Sequence, residues 1–185
     1  MVYQDPYDSI NPRMKIFDIV NEPLEIQDST NGQERKQIVL ETLRLVKLEP
    51  IEEMLNKFPH MLSGGQRQRV AIARALVTMP QVLIADEPVS MLDVSIRGEI
   101  LQLMNDIQKK NEISFIYITH DLATAKYFAD RIIILYSGKI MESGNIMDVL
   151  KNPEHAYTRA LIDAIPIPDP KNIYKEKKID WKVDN

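Results

Sequence analysis

A layered α/β fold, a largely parallel sheet with helices packed on it, is what three features of the chain predict. Short apolar runs bounded by turn signals alternate with stretches of helical periodicity, the pattern of strands joined by crossover helices. The run Val82-Leu83-Ile84-Ala85 has no polar residue at alternate positions, which predicts a strand buried on both faces. Two carboxylates, Asp86 and Glu87, follow it directly, at the edge where open α/β sheets hold ligands.

The elements follow in order. Met14 to Leu24 and Gln33 to Leu48 are predicted helices, the second with Ile38, Val39, Thr42, Leu43 and Val46 on one face. In Leu62-Ser63-Gly64-Gly65-Gln66, Ser63 is a good N-cap and Gln66, three positions on, completes a capping box, so a helix is expected to run on to Leu76. A strand over Gln81 to Ala85 precedes a helix from Val94 to Lys110, capped by Asp93, with Ile96, Ile100, Leu103, Met104 and Ile107 as its apolar face. Strands are expected at Ile113 to Thr119, Arg131 to Leu135 and Lys139 to Glu142, the last two joined at Ser137-Gly138. Pro153 to Leu161 reads as a short amphipathic helix with a Pro-rich stop. Beyond Ile165 the chain reads as an extended solvated arm, with mixed charge around Lys175-Glu176-Lys177-Lys178 and Trp181 near its end.

Composition excludes several functions. With 185 residues, 44% of them apolar and 27% charged, the chain can build one sizeable core. A net charge of −4, with no arginine-rich patch, gives no electrostatic basis for binding nucleic acid. The absence of cysteine excludes disulfides and thiolate metal sites, and fits a reducing compartment. No apolar run reaches the ~18 residues that span a bilayer, and the N-terminus lacks a signal-peptide pattern, so membrane contact is expected only through a partner protein.

The chemistry rests on two motifs. A helix start presents N–H groups and the positive end of its dipole, and Gly64 and Gly65 would let a phosphate approach the backbone closely. Ser-Gly-Gly alone reads as a capped helix after a turn, and Asp-Glu-Pro alone as a strand-end turn. Together, starting at residues 62 and 82, they point to nucleotide hydrolysis. Asp86 is placed to hold Mg²⁺ and Glu87 to polarise a water for attack on a γ-phosphate, since phosphoryl transfer is mostly positioning and charge stabilisation.

On these motifs the chain resembles the ATP-binding subunit of an ABC transporter. Leu62 to Gln66 is similar to the family signature, Val82 to Glu87 to its Walker B strand with the catalytic glutamate, and Ser90-Met91-Leu92-Asp93 to its D-loop. His120, after Ile113 to Thr119, resembles the switch histidine, and Gln4 in Tyr3-Gln4-Asp5-Pro6 the Q-loop glutamine. The resemblance implies ATP and Mg²⁺ as cofactors. It implies Glu87 and His120 as catalytic residues, Asp86 and Gln4 at the metal, and Ser63, Gly64, Gly65, Gln66, Gln4 and Asp93 at the nucleotide. The implied fold is a partial P-loop NTPase (ABC ATPase) sheet with helices on both sides, a helical subdomain and a C-terminal extension. Its implied parts are a Q-loop segment (1–12), a helical subdomain with the signature (13–78), the C-terminal part of the ATPase core (79–150) and an extension with tail (151–185). The implied partners are a second ABC ATPase subunit, as homo- or heterodimer, and membrane permease subunits, which the exposed side of Gln4 to Lys15 is expected to meet at the cytoplasmic face of the cell membrane.

Both ends narrow the resemblance to the dipeptide and oligopeptide importer branch. They are Tyr3 to Met14 followed by Asp18 to Leu24, and Pro153-Glu154-His155-Ala156-Tyr157-Thr158-Arg159-Ala160-Leu161 followed by Ile165 to Pro170. Two family features are missing, the phosphate loop and the upstream aromatic that would stack on adenine. No G-x-x-x-x-G-K-[ST] phosphate loop occurs, the other glycines being Gly32, Gly98, Gly138 and Gly144. The chain resembles a member without its N-terminal third, from which an unpaired sheet edge, bare apolar faces and dependence on a partner are expected. In the family two ATPs lie between two domains, so this chain is expected to lend Ser63 to Gln66 to a site on an intact partner without completing its own. A DNA-repair ATPase with the same signature and a functionless remnant are the remaining alternatives.

Overall fold

A computed structural model describes residues 1–27 and 31–165. The proline-rich arm and Trp181 lie outside the described residues. The chain divides into two units, Met1–Ile118 and Thr119–Asn185.

The first unit contains α1 (Pro6–Ser9), α2 (Ile16–Gln27), α3 (Gly32–Leu45), α4 (Ile51–Leu55), a 3₁₀ turn (Pro59–Met61), α5 (Gly64–Leu76), β1 (Val82–Asp86), α6 (Val94–Asn111) and β2 (Ser114–Ile118). β1 and β2 pair in parallel, Leu83 opposite Phe115 and Asp86 opposite Ile118. Val2 bridges Ala85 on the other side of β1, also in parallel, donating to the Ile84 carbonyl at 2.8 Å and accepting from Asp86 N–H at 2.9 Å. The core gathers Ile16, Ile19 and Val20 of α2, Val39 and Leu43 of α3, Val70, Ile72 and Leu76 of α5, and Ile100, Leu103 and Ile107 of α6 around Leu83 and Ala85. These positions recur at helical spacing, so each helix buries a single stripe.

Two expectations need correction. α3 stops at Leu45 rather than Leu48 because Lys47 takes a left-handed φ of 54° and Leu48 N–H turns back past it to Leu43 O at 3.1 Å. At its other end Asn31 makes a capping box with Glu34. The strand expected to be buried on both faces is buried on one. Leu83 and Ala85 point into the helices, whereas Val82 is 53% exposed, and Ile84 and, on β2, Ile116 and Ile118 are exposed with it. Side chains alternate across a strand, so an unbroken apolar run places half its residues on whichever face stays uncovered.

The second unit contains α7 (Leu122–Ala125), β3 (Arg131–Tyr136), β4 (Lys139–Asn145), α8 (Ile146–Lys151) and α9 (Ala156–Asp163). β3 and β4 form an antiparallel hairpin whose turn, Ser137 (φ 46°) and Gly138 (φ 78°), has positive φ at both central positions, as a type I′ two-residue hairpin requires. α9 is the short helix expected after Pro153.

Candidate functional site

Register brings the first site residues together. Val2 sits opposite Ala85, so the chain leaves its pairing with β1 at the end where Asp86 and Glu87 emerge. Gln4 Nε2 then donates to Glu87 Oε2 at 3.0 Å, across 83 residues of sequence. The Glu87 backbone is held on both sides. Its N–H donates to Ile118 O at 2.9 Å, and its carbonyl accepts from Ser90 N–H at 3.1 Å and from the Ser90 hydroxyl at 3.0 Å. Those bonds keep Glu87 at φ 43°, in the left-handed region that a non-glycine residue enters at a cost.

The helix start forms as expected. The Ser63 hydroxyl accepts Gln66 N–H at 3.3 Å, and Gln66 Oε1 accepts Ser63 N–H at 3.0 Å. The cap consumes those two donors and leaves the Gly64 and Gly65 amides at the open helix end, where an anion meets the positive dipole. Gly65 has a second reason to lack a side chain, because a Cβ there would lie 2.8 Å from Ile96 Cγ2 on α6. A Cβ on Gly64 would lie 3.5 Å from Leu92 Cδ2, so the signature rests on the D-loop of the same chain.

Asp93 stands at the N-cap of α6 as expected, but its side chain makes no capping hydrogen bond. Arginines hold the loops instead. Arg67 is buried, and its Nε and Nη2 donate to the carbonyls of Pro59 at 3.1 Å and Leu62 at 2.8 Å, bracing the run into the signature. Burial pulls its guanidinium below the ordinary arginine value, and the charge of Asp5 opposes that shift. Arg97 holds the D-loop, Nε to Leu92 O at 2.8 Å and Nη2 to Ser90 O at 3.1 Å. The sequence reading missed both roles. The available signal was a cation in the first turn of a helix, where the dipole disfavours it unless acceptors compensate.

His120 belongs to the second unit and is exposed. Its flanks are fixed by Asp121 N–H donating to Thr119 Oγ1 at 2.9 Å and by the Asp121 carboxylate, which caps α7 at Thr124 N–H at 3.1 Å and takes a short bond from the Thr124 hydroxyl.

Among the described residues no three His, Cys, Asp or Glu cluster as a metal cage. Asp86, with Glu87 and the Gln4 amide beside it, is the donor set that suits Mg²⁺ arriving with a nucleotide, because this ion keeps waters and phosphate oxygens and takes only one or two carboxylates from protein. No described helix is long and apolar enough to cross a membrane.

A strand-end acid pair bonded to an upstream glutamine, in one unit with a capped Gly-Gly helix start, is the arrangement of an ATP-binding cassette. Residues 1–90 match the family described as ABC transporter. Residues 141–183 match the family described as oligopeptide/dipeptide transporter, C-terminal region. The chain is 45% identical, over its full length, to the oligopeptide transport ATP-binding protein OppF of Bacillus subtilis. It is 44% identical, over 96% of its length, to the dipeptide transport ATP-binding protein DppF of Haemophilus influenzae. It spans 59% and 53% of those two proteins. Among solved structures, it is similar to the dimeric ABC transporter cassette MJ0796, with a TM-score of 0.65 and 32% identity over 79% of this chain and 62% of that one. For cbiO1 of Clostridium perfringens the TM-score is 0.72, with 30% identity over 86% of this chain and 62% of that one.

Proposed function

We propose that this chain is part of an ATP-hydrolysing, energy-coupling subunit of an importer for dipeptides or oligopeptides. The observation that carries the reading is the Gln4–Glu87 hydrogen bond, which joins a neutral amide to a carboxylate held by backbone strain at the end of β1. The names of the OppF and DppF relatives and the match over residues 141–183 support the peptide cargo. A structure of MJ0796 with ADP and Pi supports the nucleotide.

Bound Mg²⁺ would neutralise charge developing on the phosphate oxygens. Asp86 would hold that ion. Glu87 accepts hydrogen bonds from the attacking water and orients it in line, while Gln4 occupies the Glu87 carboxylate until nucleotide arrives and then yields without leaving a buried charge behind. His120 donates to the γ-phosphate. Ser63 and the amides of Gly64 and Gly65 bind phosphate oxygens of the nucleotide held mainly by a second subunit, and Asp93 lies beside that interface. The chain works at the cytoplasmic face of the membrane, held there by permease subunits that meet Gln4 to Lys15.

Residues 1–185 contain no phosphate loop, so turnover at Glu87 needs one from elsewhere, whereas the signature needs only an intact partner site. ATP hydrolysis is to be measured for the chain alone and mixed with an intact importer ATPase. Stimulation of the partner is expected, lost on Ser63→Ala and kept on Glu87→Gln. Equal loss from both substitutions overturns the half-site reading.

A further inference from the structure

A local device recurs at the helix starts. Arg67, Arg97 and Arg159 each stand four residues after an N-cap, Ser63, Asp93 and His155. Each closes the first backbone turn, its N–H bonding to the N-cap carbonyl at 2.9, 3.0 and 3.1 Å. Side chains on a helix lean toward its N-terminus, so each guanidinium reaches back over the incoming loop. Arg159 takes the carbonyls of Pro153 and Glu154 at 3.1 and 2.8 Å, as Arg97 takes those of Ser90 and Leu92. Only Arg97 holds a loop that itself supports another phosphate-facing element: Leu92 lies under Gly64, and Ile96, its neighbour on α6, lies against Gly65.

We propose that Arg97 is a positioning residue, which locks Ser90 to Asp93 into the shape that seats Leu92 and Ile96 under the signature glycines, so that D-loop and signature move as one body. A D-loop displaced by its surroundings then carries the Gly64 and Gly65 amides with it. The consequence for catalysis rests on the function proposed above. The coupling itself does not, and is tested without nucleotide.

Amide exchange is to be followed residue by residue in the full 185-residue chain. Arg97→Ala should speed exchange at Ser90 and Leu92 and, about as strongly, at Gln66 and Arg67, by about tenfold or more, the factor that loss of one hydrogen bond to a charged group implies. Arg97→Lys keeps the charge and serves one carbonyl, so both loops should fall midway together. Ile96→Ala should loosen Gln66 and Arg67 while sparing Ser90. Arg159→Ala should loosen Glu154 and His155 and leave both loops of the first unit unchanged. Loosening confined to the D-loop overturns the coupling, and loosening spread evenly through the first unit reduces Arg97 to a structural residue. If Arg97→Ala does not fold, parallel shifts at both loops in Arg97→Lys decide the matter. If the unaltered chain stimulates no partner, the functional reading falls while the exchange result stands.

Discussion

At the scale of single residues, Glu87 combines chemistry with strain. Its left-handed φ of 43° costs a non-glycine residue about 1–3 kcal/mol, and that cost is met by bonds from Ser90 and to Ile118. Glu87→Gly should therefore leave the chain more stable than Glu87→Ala by about 1 kcal/mol in denaturant unfolding, because both lose the carboxylate and only glycine relieves the backbone. Equal stabilities would show that the turn is unstrained. Glu87 as an acid at a strand end was legible in the sequence. Its backbone state was not, because φ there is imposed by Ile118, Ser90 and the register of β1 with β2. The bond from Gln4 was equally hidden, since a contact across 83 residues depends on Val2 finding Ala85.

Among the elements, the capped helices show where local sequence suffices. The Ser63 box and the Ser137-Gly138 turn formed as read, because every group involved lies within a few residues. The Asp93 position held too, but its carboxylate was displaced from capping and Arg97 took over the loop. In the second unit, His155 caps α9, its Nδ1 accepting Tyr157 N–H at 3.1 Å, and Glu142 of β4 holds that cap in place by accepting the N–H groups of Glu154 and His155 at 3.0 and 3.1 Å. Burial works to raise this carboxyl, but the Thr158 hydroxyl beside it, those two N–H groups and the charge of His155 hold it below the ordinary carboxylate range. A depressed acid contributes stability above its ordinary value and loses it as pH falls through the lower value kept in the folded unit. Melting of α9, followed by amide exchange over 156–163, should accordingly set in as pH drops below the ordinary glutamate value. Glu142→Gln should flatten that dependence, and an unchanged profile would remove Glu142 from the cap.

For the whole molecule, the bare face of β1 and β2 overturns the strand expected to be buried on both faces and agrees with the bare apolar faces that were also expected. Val82, Ile84, Ile116 and Ile118 expose apolar surface along one stripe, and Ile133, Leu135 and Ile140 do so on the hairpin of the second unit. Stripes of this kind favour association of chains with one another. Ile116→Lys should reduce concentration-dependent light scattering while changing unfolding free energy by no more than about 0.5 kcal/mol, as expected for an exposed position. A large loss of stability would mean that Ile116 is covered in solution.

The sequence by itself determined the α/β alternation, the helix starts at Ser63 and Asp93, the hairpin at Ser137-Gly138 and the chemical identity of Asp86, Glu87, Gln4 and the signature, because propensity, capping and motif spacing act over a few residues. Only the tertiary structure decided which face of β1 is buried, that Gln4 bonds to Glu87, that Glu87 is left-handed, and that Ile96 and Leu92 lie under the signature glycines. Those outcomes depend on strand register and helix packing between distant segments, whose free energies no local pattern records.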